Sequence, residues 1–251
     1  MRIFTSIAQW QTFRASVQTN PLGFVPTMGA LHQGHLSLVE TSRENNAFTV
    51  VSVFINPKQF DDNDDFEAYP IGGPGDLQQL EKAGVDAVLI PDAAQIYADD
   101  YLFKVTESDF SQRLCGACRP GHFDGVLTVV MRLLNLVRPD NAYFGEKDYQ
   151  QLQLIRDMAA AFFVPVNIVA CATVREADGL AMSSRNQRLD TRQRKKAPLL
   201  YAALKQSKSA QQARDTLTSK GFDVDYVEDI AGRRVAAARL GNTRLIDNVR
   251  I

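Results

Sequence analysis

The sequence LGFVPTMGALHQGHLSLV, residues 22–39, decides the fold that we predict for this chain. Its apolar beginning, Leu22–Pro26, has the composition of a buried strand, and a turn that contains glycine follows. Leu36 and Val39 then share one face of an amphipathic segment. We therefore expect a strand, a tight turn and a helix in direct succession, which places the turn at the N-terminus of a helix.

The same alternation continues along the chain. Strand and helix patterns follow one another at Phe48–Ile55, Pro74–Ala83, Val85–Ile90, Val126–Val137, Ala142–Phe144, Tyr149–Phe162 and Val166–Val174. Strands that alternate with helices are typical of a parallel sheet with helices on both faces. We predict an α/β fold with a Rossmann-like, doubly wound parallel sheet over residues 1–174.

The pattern changes after Val174. Two helical segments precede three strand segments, at Thr191–Ser207, Ser209–Lys220, Val224–Ile230, Arg234–Arg239 and Arg244–Val249. Helices followed by strands are typical of a separate α+β unit. Residues 175–251 are therefore expected to form a second, smaller α+β C-terminal domain.

Composition excludes several classes of function. The chain has 251 residues, with 28 Lys and Arg against 29 Asp and Glu, so it lacks the basic surplus of a nucleic-acid-binding protein. Its most apolar region is interrupted by Pro165 and Asn167, so no membrane span is expected. The N-terminal residues lack the apolar core of a signal peptide, and the single CxxC motif, Cys115–Cys118, has no second pair to complete a zinc site. We expect a cytoplasmic protein without a nucleic-acid or membrane partner.

The predicted turn carries two of the three histidines of the chain. His32 and His35 are three residues apart, so in a helical turn both imidazoles lie on one side and can donate N–H bonds to phosphate oxygens. A helix N-terminus also attracts anions, and Gly29 and Gly34 would let a phosphate approach the backbone. A single histidine at a helix start is more often a cap, but two in an HxGH motif favour an anion site.

Two further segments follow strands at their carboxyl ends, where open α/β sheets bind ligands. Asn56 and Gln59 can reach a substrate there, although Asn-Pro alone explains a turn. Lys147 and Gln151 follow Gly145 in another strand, turn and helix, and Lys147 supplies a point charge for phosphate. An ordinary charged helix start is the alternative for this second segment.

Residues 174–186 read VREADGLAMSSRN and follow the predicted sheet. Ser183 and Ser184 offer two hydroxyls, and Arg185 offers a fork of guanidinium donors. Together they are a suitable clamp for a triphosphate. Standing alone, this segment would instead be interpreted as an interdomain linker.

Taken together, these segments resemble the pantoate–β-alanine ligase family of the HIGH-motif nucleotidyltransferase superfamily. The resemblance covers nearly the whole chain and is carried by PTMGALHQGH at 26–35, FINPKQF at 54–60, HFDGVLTVV at 122–130, FGEKDYQQ at 144–151 and READGLAMSSRN at 175–186. It implies an ATP-dependent ligase of pantothenate biosynthesis, in which residues 1–174 would bind the nucleotide and pantoate and residues 175–251 would act as a lid. Pantoate would attack the α-phosphate of ATP to give pantoyl adenylate and pyrophosphate, and β-alanine would then form the amide and release AMP.

The resemblance also implies roles for residues of the nucleotide site. His35 would be the proton donor, and His32, Lys147 and Arg185 would complete the catalytic set, which acts by positioning and electrostatics. The residues that bind ATP would be Met28, Gly29, Ala30, Leu31, His32, Gln33, Gly34, His35, Gly145, Glu146, Lys147, Asp148, Val174, Met182, Ser183, Ser184 and Arg185.

The substrates and the metal follow from the same resemblance. Gln59 and Gln151 would hold pantoate, with Asn56 adjacent and Gln59 also near β-alanine. Mg²⁺ would accompany the ATP phosphates, and Asp76 is the candidate ligand because such sites are usually built with one carboxylate. The family also implies a homodimer.

Three features depart from the family pattern. Ile71–Gly75 replaces a more acidic segment on the metal side, Lys58 stands where methionine is usual, and the C-terminal unit is shorter than expected.

Two alternatives stay open. One is another HxGH nucleotidyltransferase with a different acceptor, although Gln59, Gln151 and Asn56 suit a hydroxy acid better than a phosphorylated acceptor. The other is a nucleotide-binding protein that has lost catalysis.

Overall fold

The computed structural model describes residues 1–60, 66–67 and 73–251. The chain divides into two compact units. The first comprises Met1–Gly145 and Gln150–Cys171, and the second comprises Glu146–Tyr149 and Ala172–Ile251. The division into a binding domain at 1–174 and a lid at 175–251 stays a prediction.

A parallel sheet forms the centre of the first unit. Its strands are β1 (Arg2–Phe4), β2 (Leu22–Thr27), β3 (Phe48–Val53), β4 (Ala87–Leu89), β5 (Asn141–Gly145) and β6 (Asn167–Cys171). Within the described residues the strand order is β1-β4-β3-β2-β5-β6, and all neighbouring strands are parallel. The predicted doubly wound α/β architecture is confirmed. Both faces of the central strands are covered, which explains their continuous apolar sequences.

Helices flank this sheet. They are α1 (Ile7–Ser16), α2 (Gln33–Asn45), α3 (Pro74–Lys82), α4 (Ala93–Ile96), α5 (Cys115–Cys118), α6 (His122–Val137) and α7 (Tyr149–Ala161), with short 3-10 helices at Pro57–Gln59 and Phe110–Gln112. Val39 and Leu80 pack from α2 and α3 onto Val25, Val51 and Val88 of the sheet. In the described part of the chain, no helix is long and apolar enough to span a bilayer.

The order of the sheet changes direction between β2 and β5. From β2 the chain continues to β3 on one side, whereas β5 and β6 lie on the other side. Open α/β sheets bind ligands at the carboxyl ends of strands at such a switch point. Because β2 ends at Thr27, the segment Met28–His35 begins at this position, as the sequence predicts.

The second unit, all of whose residues are described, is α+β. It contains 3-10 helices at Glu146–Asp148 and Ser184–Arg188, the helices α8 (Thr191–Lys196), α9 (Leu199–Gln206) and α10 (Ala210–Ser219), and the strands β7 (Asp223–Ile230), β8 (Arg233–Leu240) and β9 (Thr243–Arg250). The three strands form an antiparallel sheet in the order β7-β8-β9. Leu200, Leu204 and Leu217 from the helices pack with Ala236 and Ala238 of β8 in its core.

Three local predictions differ from the structure. The strand β1 and helix α1 precede the strand that the sequence analysis placed first. The sequence pattern does not reveal them because β1 has three residues and α1 buries a single residue, Trp10, which gives no apolar period. The segment Thr191–Ser207 forms two helices because Pro198 cannot continue the hydrogen-bond pattern of the first. Helix α6 begins at His122 rather than at Val126.

Candidate active site

The loop between β2 and α2 has a left-handed backbone. Gly29 has φ 81° and Ala30 has φ 50°, and an alanine in this region costs about 1–2 kcal/mol. Asp76, a buried residue in the first turn of α3, accepts hydrogen bonds from the N–H groups of Ala30 at 2.7 Å and Leu31 at 3.0 Å. The Asp76 carboxylate therefore holds the loop in a conformation that alanine would not choose by itself.

Most N–H groups of this loop are engaged within the protein. Besides the two that Asp76 binds, those of Gly29, His32 and Gly34 donate to side chains of the same segment. The expectation that these N–H groups bind a phosphate stays a prediction.

His32 and His35 form a closely packed pair at the start of α2. His32 is the N-cap, and its Nδ1 accepts from the N–H of Gly34 at 3.1 Å, while Nδ1 of His35 accepts from the N–H of His32 at 3.4 Å. The ring centroids lie 4.0 Å apart with 30° between the planes. Because each Nδ1 is an acceptor, the hydrogen-bond network assigns the proton of each neutral imidazole to Nε2. In this tautomer the N–H of each ring is on Nε2, the nitrogen that does not accept from the backbone.

Asn56 is buried, with 1% of its surface exposed, and its amide is used within the protein. Nδ2 donates to Gln59 Oε1 and to the Gly125 carbonyl, both at 3.1 Å. Oδ1 accepts from the Tyr97 hydroxyl at 2.5 Å and from the Lys58 N–H at 3.2 Å. This geometry makes Asn56 a residue that orients Gln59, and its direct contact with pantoate stays a prediction.

Tyr97 was not identified from the sequence. Its ring is buried, and burial raises the pKa of its hydroxyl above the ordinary value, an effect that Tyr101 increases and Arg132 opposes. The hydroxyl therefore remains protonated and donates to Asn56 over the whole physiological range. An isolated tyrosine far along the sequence gives no signal of this contact.

Gln59 lies beside the histidine loop. Its Nε2 donates to Met28 Sδ at 2.9 Å. The backbone carbonyl of Gln59 accepts from His122 Nδ1 at 2.7 Å and from the Arg119 guanidinium at 3.3 Å. The structure thus brings together two predicted ligand-binding segments and adds two residues, His122 and Arg119, that support the backbone of Gln59.

Gly125 lets α6 approach the 3-10 helix at Pro57–Gln59. A Cβ at this position would lie 2.1 Å from the Lys58 carbonyl oxygen and 2.7 Å from the Gln59 nitrogen. Both are backbone atoms, so the clash could not be relieved by turning a side chain. A glycine inside an otherwise apolar helix is the sequence signal that could have indicated this close approach.

Two successive glutamines at the start of α7 differ in their surroundings. Gln150 is buried, its Nε2 donates to the carbonyls of Phe110 at 2.7 Å and Arg113 at 2.8 Å, and its Oε1 accepts from the Cys115 N–H at 3.0 Å. Gln150 is therefore a structural residue. Gln151 is half-buried, and its contact with pantoate stays a prediction.

The second unit contains the short helix that carries Lys147. Nζ of Lys147 lies 3.6 Å from the Asp148 carboxylate, and its side chain is 19% exposed. Glu146 forms an ion pair with Arg233 at 2.8 Å. Burial raises the pKa of Glu146, but the hydrogen bonds and charges of Arg233 and Arg250 outweigh burial and lower that pKa. Glu146 is therefore ionised and anchors this turn.

Residues 174–182 form a hairpin, which argues against a simple linker. Arg175 pairs with Ala181 as an antiparallel bridge, and the Met182 N–H donates to the Val174 carbonyl at 3.0 Å. The guanidinium of Arg175 also donates to the Gly179 carbonyl at 3.1 Å. The hairpin therefore fixes the point at which the serine-rich segment begins.

The serine-rich segment opens a 3-10 helix. Ser183 is its N-cap and accepts from the Arg185 N–H at 3.3 Å. Ser184 is buried, whereas Ser183 and Arg185 are half-buried. Their contacts with ATP phosphates stay predictions.

The described residues contain no group of three His, Cys, Asp or Glu side chains that could hold a metal ion. Asp76, the predicted magnesium ligand, is buried and uses both carboxylate oxygens on the loop backbone. These residues therefore do not fit a resident magnesium site. Of the unusual segment Ile71–Gly75, residues 71 and 72 lie outside the described residues.

The predicted site residues fall into two groups, one in each unit. The first unit holds Met28–His35, Asn56, Gln59, Asp76, Gly145 and Gln151, and the second holds Glu146, Lys147, Asp148, Val174 and Met182–Arg185. Within the first group the structure joins His32 with His35, and Gln59 with both Asn56 and Met28.

Comparison with known proteins gives a match over the full chain. The model of the family described as pantoate-beta-alanine ligase matches residues 2–250. A pantothenate synthetase of Bdellovibrio bacteriovorus is 51% identical over 250 residues, which cover 100% of this chain and 99% of that protein. One from Legionella pneumophila is 48% identical over 249 residues, 99% of each chain. Relative to these proteins, the expectation of a shortened C-terminal unit is wrong.

Two solved structures agree with this match. The pantothenate synthetase of Thermus thermophilus has a TM-score of 0.92 and 42% identity and covers 100% of this chain and 99% of its own. The pantoate-beta-alanine ligase of Francisella tularensis, complexed with beta-gamma ATP and beta-alanine, has a TM-score of 0.94 and 38% identity. The match covers 100% of this chain and 97% of that one. The chain belongs to the pantoate–β-alanine ligase family.

Proposed function

We propose that this ligase condenses pantoate with β-alanine in two steps. First, a carboxylate oxygen of pantoate attacks the α-phosphorus of ATP. A new P–O bond forms, the bond to the oxygen that bridges the α- and β-phosphates breaks, and pyrophosphate leaves. Second, the amine of β-alanine attacks the acyl carbon of pantoyl adenylate and loses a proton, and AMP leaves as the amide forms.

The pair of histidines is the observation that carries the proposed mechanism. His32 and His35 lie with their rings 4.0 Å apart at the start of the helix that follows β2, and each Nδ1 is fixed by a backbone N–H. Each Nε2–H is therefore oriented before a ligand arrives. Donors that need no reorientation stabilise the charge that develops on phosphate oxygens during attack. His35 is proposed as the proton donor to the leaving pyrophosphate.

The pantoate site is proposed to centre on Gln59. Asn56 fixes one end of the Gln59 amide, and Met28 lies beside the other. An amide held in this way can bind a hydroxy acid, because it offers both a donor and an acceptor. Gln151 is proposed as the second pantoate ligand, and Gln59 would also lie near β-alanine.

The remaining nucleotide contacts are proposed from the family. Lys147 and Arg185 would neutralise phosphate charge, and Ser183 and Ser184 would donate hydroxyl hydrogen bonds. Mg²⁺ would arrive as part of the substrate, bound to the ATP phosphates, since Asp76 is engaged elsewhere. We also propose that the enzyme is a cytoplasmic homodimer. Sedimentation of the purified protein would test its oligomeric state.

Exchange of labelled pyrophosphate into ATP tests the first step. The purified enzyme is incubated with ATP, Mg²⁺ and labelled pyrophosphate, with and without pantoate, and AMP release is then followed after addition of β-alanine. We expect exchange only when pantoate is present and AMP release only when β-alanine is added. Exchange that occurs equally well without pantoate would contradict the proposed order of steps.

A negative result has a distinct meaning. If ATP binds but pantoate supports no exchange, the acceptor is a different acid, and other carboxylic acids should then be tested in the same assay. If ATP does not bind, the assignment of the histidine loop is wrong. Calorimetric titration with ATP in the presence of Mg²⁺ separates these two outcomes.

A further inference from the structure

Asn248, a residue of β9, contacts the turn that carries Lys147. Its Nδ2 donates to the Glu146 carbonyl at 2.8 Å and to the Lys147 carbonyl at 3.0 Å. Its Oδ1 accepts from the Arg233 guanidinium at 2.6 Å. Asn248 is 3% exposed, so these three bonds form away from water. The amide thus binds two successive carbonyls of one turn and is itself held by a cation.

This arrangement needs the chemistry of a primary amide. Two carbonyl oxygens require two N–H donors, and the guanidinium of Arg233 requires an acceptor on the same side chain. Because Arg233 can only donate, it fixes which atom of the amide is oxygen and which is nitrogen. Arg233 also forms the ion pair with Glu146, so the same cation holds the turn at a second point.

The turn itself has few bonds of its own. It is a 3-10 helix of three residues, Glu146–Asp148, between β5 and α7. A helix of this length leaves most of its carbonyl groups without a partner inside the helix. Asn248 binds two of these carbonyls, and it therefore sets the direction in which the backbone presents the Lys147 side chain.

The preceding residue of β9, Asp247, supports the hairpin that leads to Ser183–Arg185, the other segment proposed to bind phosphate. Asp247, 4% exposed, binds the Arg175 guanidinium through two bonds of 2.6 and 2.9 Å. Burial raises the pKa of Asp247, while Arg175 and Lys147 oppose this effect by favouring its charged form. The Arg175 guanidinium also lies 3.8 Å from the ring centroid of Tyr201. Two successive residues of one strand thus support the Lys147 turn and the hairpin that begins at Arg175.

We propose that Asn248 is a positioning residue that aligns Lys147 for its phosphate ligand. The proposal rests on the proposed function in one respect, because that function assigns Lys147 to the phosphates of ATP. Asn248 itself is not proposed to contact the substrates and acts through the backbone of residues 146 and 147.

The substitution Asn248→Asp tests this role with little change in shape. The carboxylate keeps an acceptor for Arg233 but places an oxygen against two carbonyls, so the turn loses both donors. We expect a 10- to 100-fold loss in pantoate-dependent pyrophosphate exchange and weaker ATP binding by calorimetry, with the pantoate KM changed by less than about twofold. The matched control is Asn135→Asp at an exposed position of α6, which should leave all three quantities unchanged.

A double-mutant cycle separates positioning of Lys147 from a general structural effect. If Asn248 acts through Lys147, then Asn248→Asp should cost less than about threefold in a Lys147→Ala background, although it costs at least tenfold in the wild type. Equal losses in both backgrounds would overturn the proposal. So would an Asn248→Asp enzyme with wild-type exchange and ATP affinity.

A second variant keeps the test decisive if Asn248→Asp does not fold. Asn248→Ser keeps one hydroxyl donor for a carbonyl, and we expect a smaller loss with the same dependence on Lys147. A loss that is unaffected by Lys147→Ala would again overturn the proposal. The wild-type exchange assay reports on the function separately, because absence of pantoate-dependent exchange there contradicts the function before any variant is measured.

Discussion

The histidine loop and the Lys147 turn are proposed to serve the same substrate, but they are stabilised in different ways. In the loop, His32 and His35 cap each other within one helical turn. In the turn at 146–148, the supporting amide is Asn248, 102 residues further along the chain from Glu146. Side chains that cap each other can be identified from a short motif, whereas the bonds that reach a turn from a distant residue, like those of Asn248 here or of Asp76 to the histidine loop, can be understood only from the fold.

The largest effect on the rate of pyrophosphate exchange should follow from a substitution that keeps the acceptor role of His35 Nδ1 and removes the donor at Nε2. In His35→Asn, the side-chain oxygen replaces Nδ1 as the acceptor for the His32 N–H, but nothing replaces Nε2. We expect the rate of pyrophosphate exchange to fall by about 10²–10³-fold, because one transition-state donor contributes about 2.7–4 kcal/mol. The thermal unfolding midpoint should stay within about 2 °C of the wild type, since the cap is kept.

The complementary variant, His35→Gln, serves as the control for this experiment. Its amide nitrogen reaches towards the position of Nε2, but the cap is lost. We expect partial recovery of exchange relative to His35→Asn, and a melting temperature lower by about 2–4 °C, from a cap worth about 1 kcal/mol. Near wild-type exchange by His35→Asn would show that His35 is only a cap and would remove it from the chemistry.

A smaller effect is expected at Asp76, the distant support of the histidine loop. In Asp76→Asn, one carboxylate oxygen becomes an NH₂ group that faces a backbone N–H, so one bond to a charged acceptor is lost at a cost of about 1.5–3 kcal/mol. Because Ala30 is then free to leave its positive φ, we expect kcat/KM for ATP to fall by about 10- to 100-fold. The matched control, Glu81→Gln, removes the same charge at an exposed position of the same helix and should have no effect.

Magnesium distinguishes the two possible roles of Asp76. If the carboxylate only holds the loop, raising the Mg²⁺ concentration will not restore the activity of Asp76→Asn. Recovery at high Mg²⁺, with an increased apparent Mg²⁺ requirement, would instead make Asp76 a metal ligand. The sequence analysis favoured that second role, and the two bonds to the loop backbone now favour the first.

The contrast between loop and turn also shows how far the sequence could be understood. The strand, turn and helix at 22–39 was predictable because its apolar period and its caps lie within a few residues of one another. The alternation of strands and helices likewise predicted the parallel sheet. The two imidazoles lie side by side, as expected, but His32 is an N-cap with an extended backbone, so the spacing of three residues in a helical turn is not the reason.

What the sequence could not show are contacts between distant segments. Asp76 is 46 residues from Ala30, and nothing in the sequence relates the two. Asn56 was expected to reach a substrate because it follows a strand, yet Tyr97 and Gly125 occupy its amide after folding. In each case the bonding partner was set by packing between segments that are distant in the sequence.

The smallest effect should follow from removing the hydroxyl of Tyr97. In Tyr97→Phe, Asn56 Oδ1 loses one donor but keeps the Lys58 N–H, so the amide is loosened rather than released. A neutral hydrogen bond contributes about 0.5–1.5 kcal/mol, which corresponds to an increase of about 2- to 10-fold in the pantoate KM through Gln59. The ATP KM should not change.

The neighbouring Tyr101 provides the control for this last prediction. Its ring packs edge-on against Tyr97 with centroids 5.2 Å apart, so Tyr101→Phe removes a hydroxyl from the same cluster without removing the donor to Asn56. Since burial raises the pKa of Tyr97, its hydroxyl is protonated throughout pH 6–9, and the effect of Tyr97→Phe should be constant over that range. Equal increases in the KM for ATP and pantoate would show that Tyr97 supports the whole unit. A selective increase in the pantoate KM would show that the hydrogen bond from Tyr97 to Asn56 affects the binding of pantoate alone.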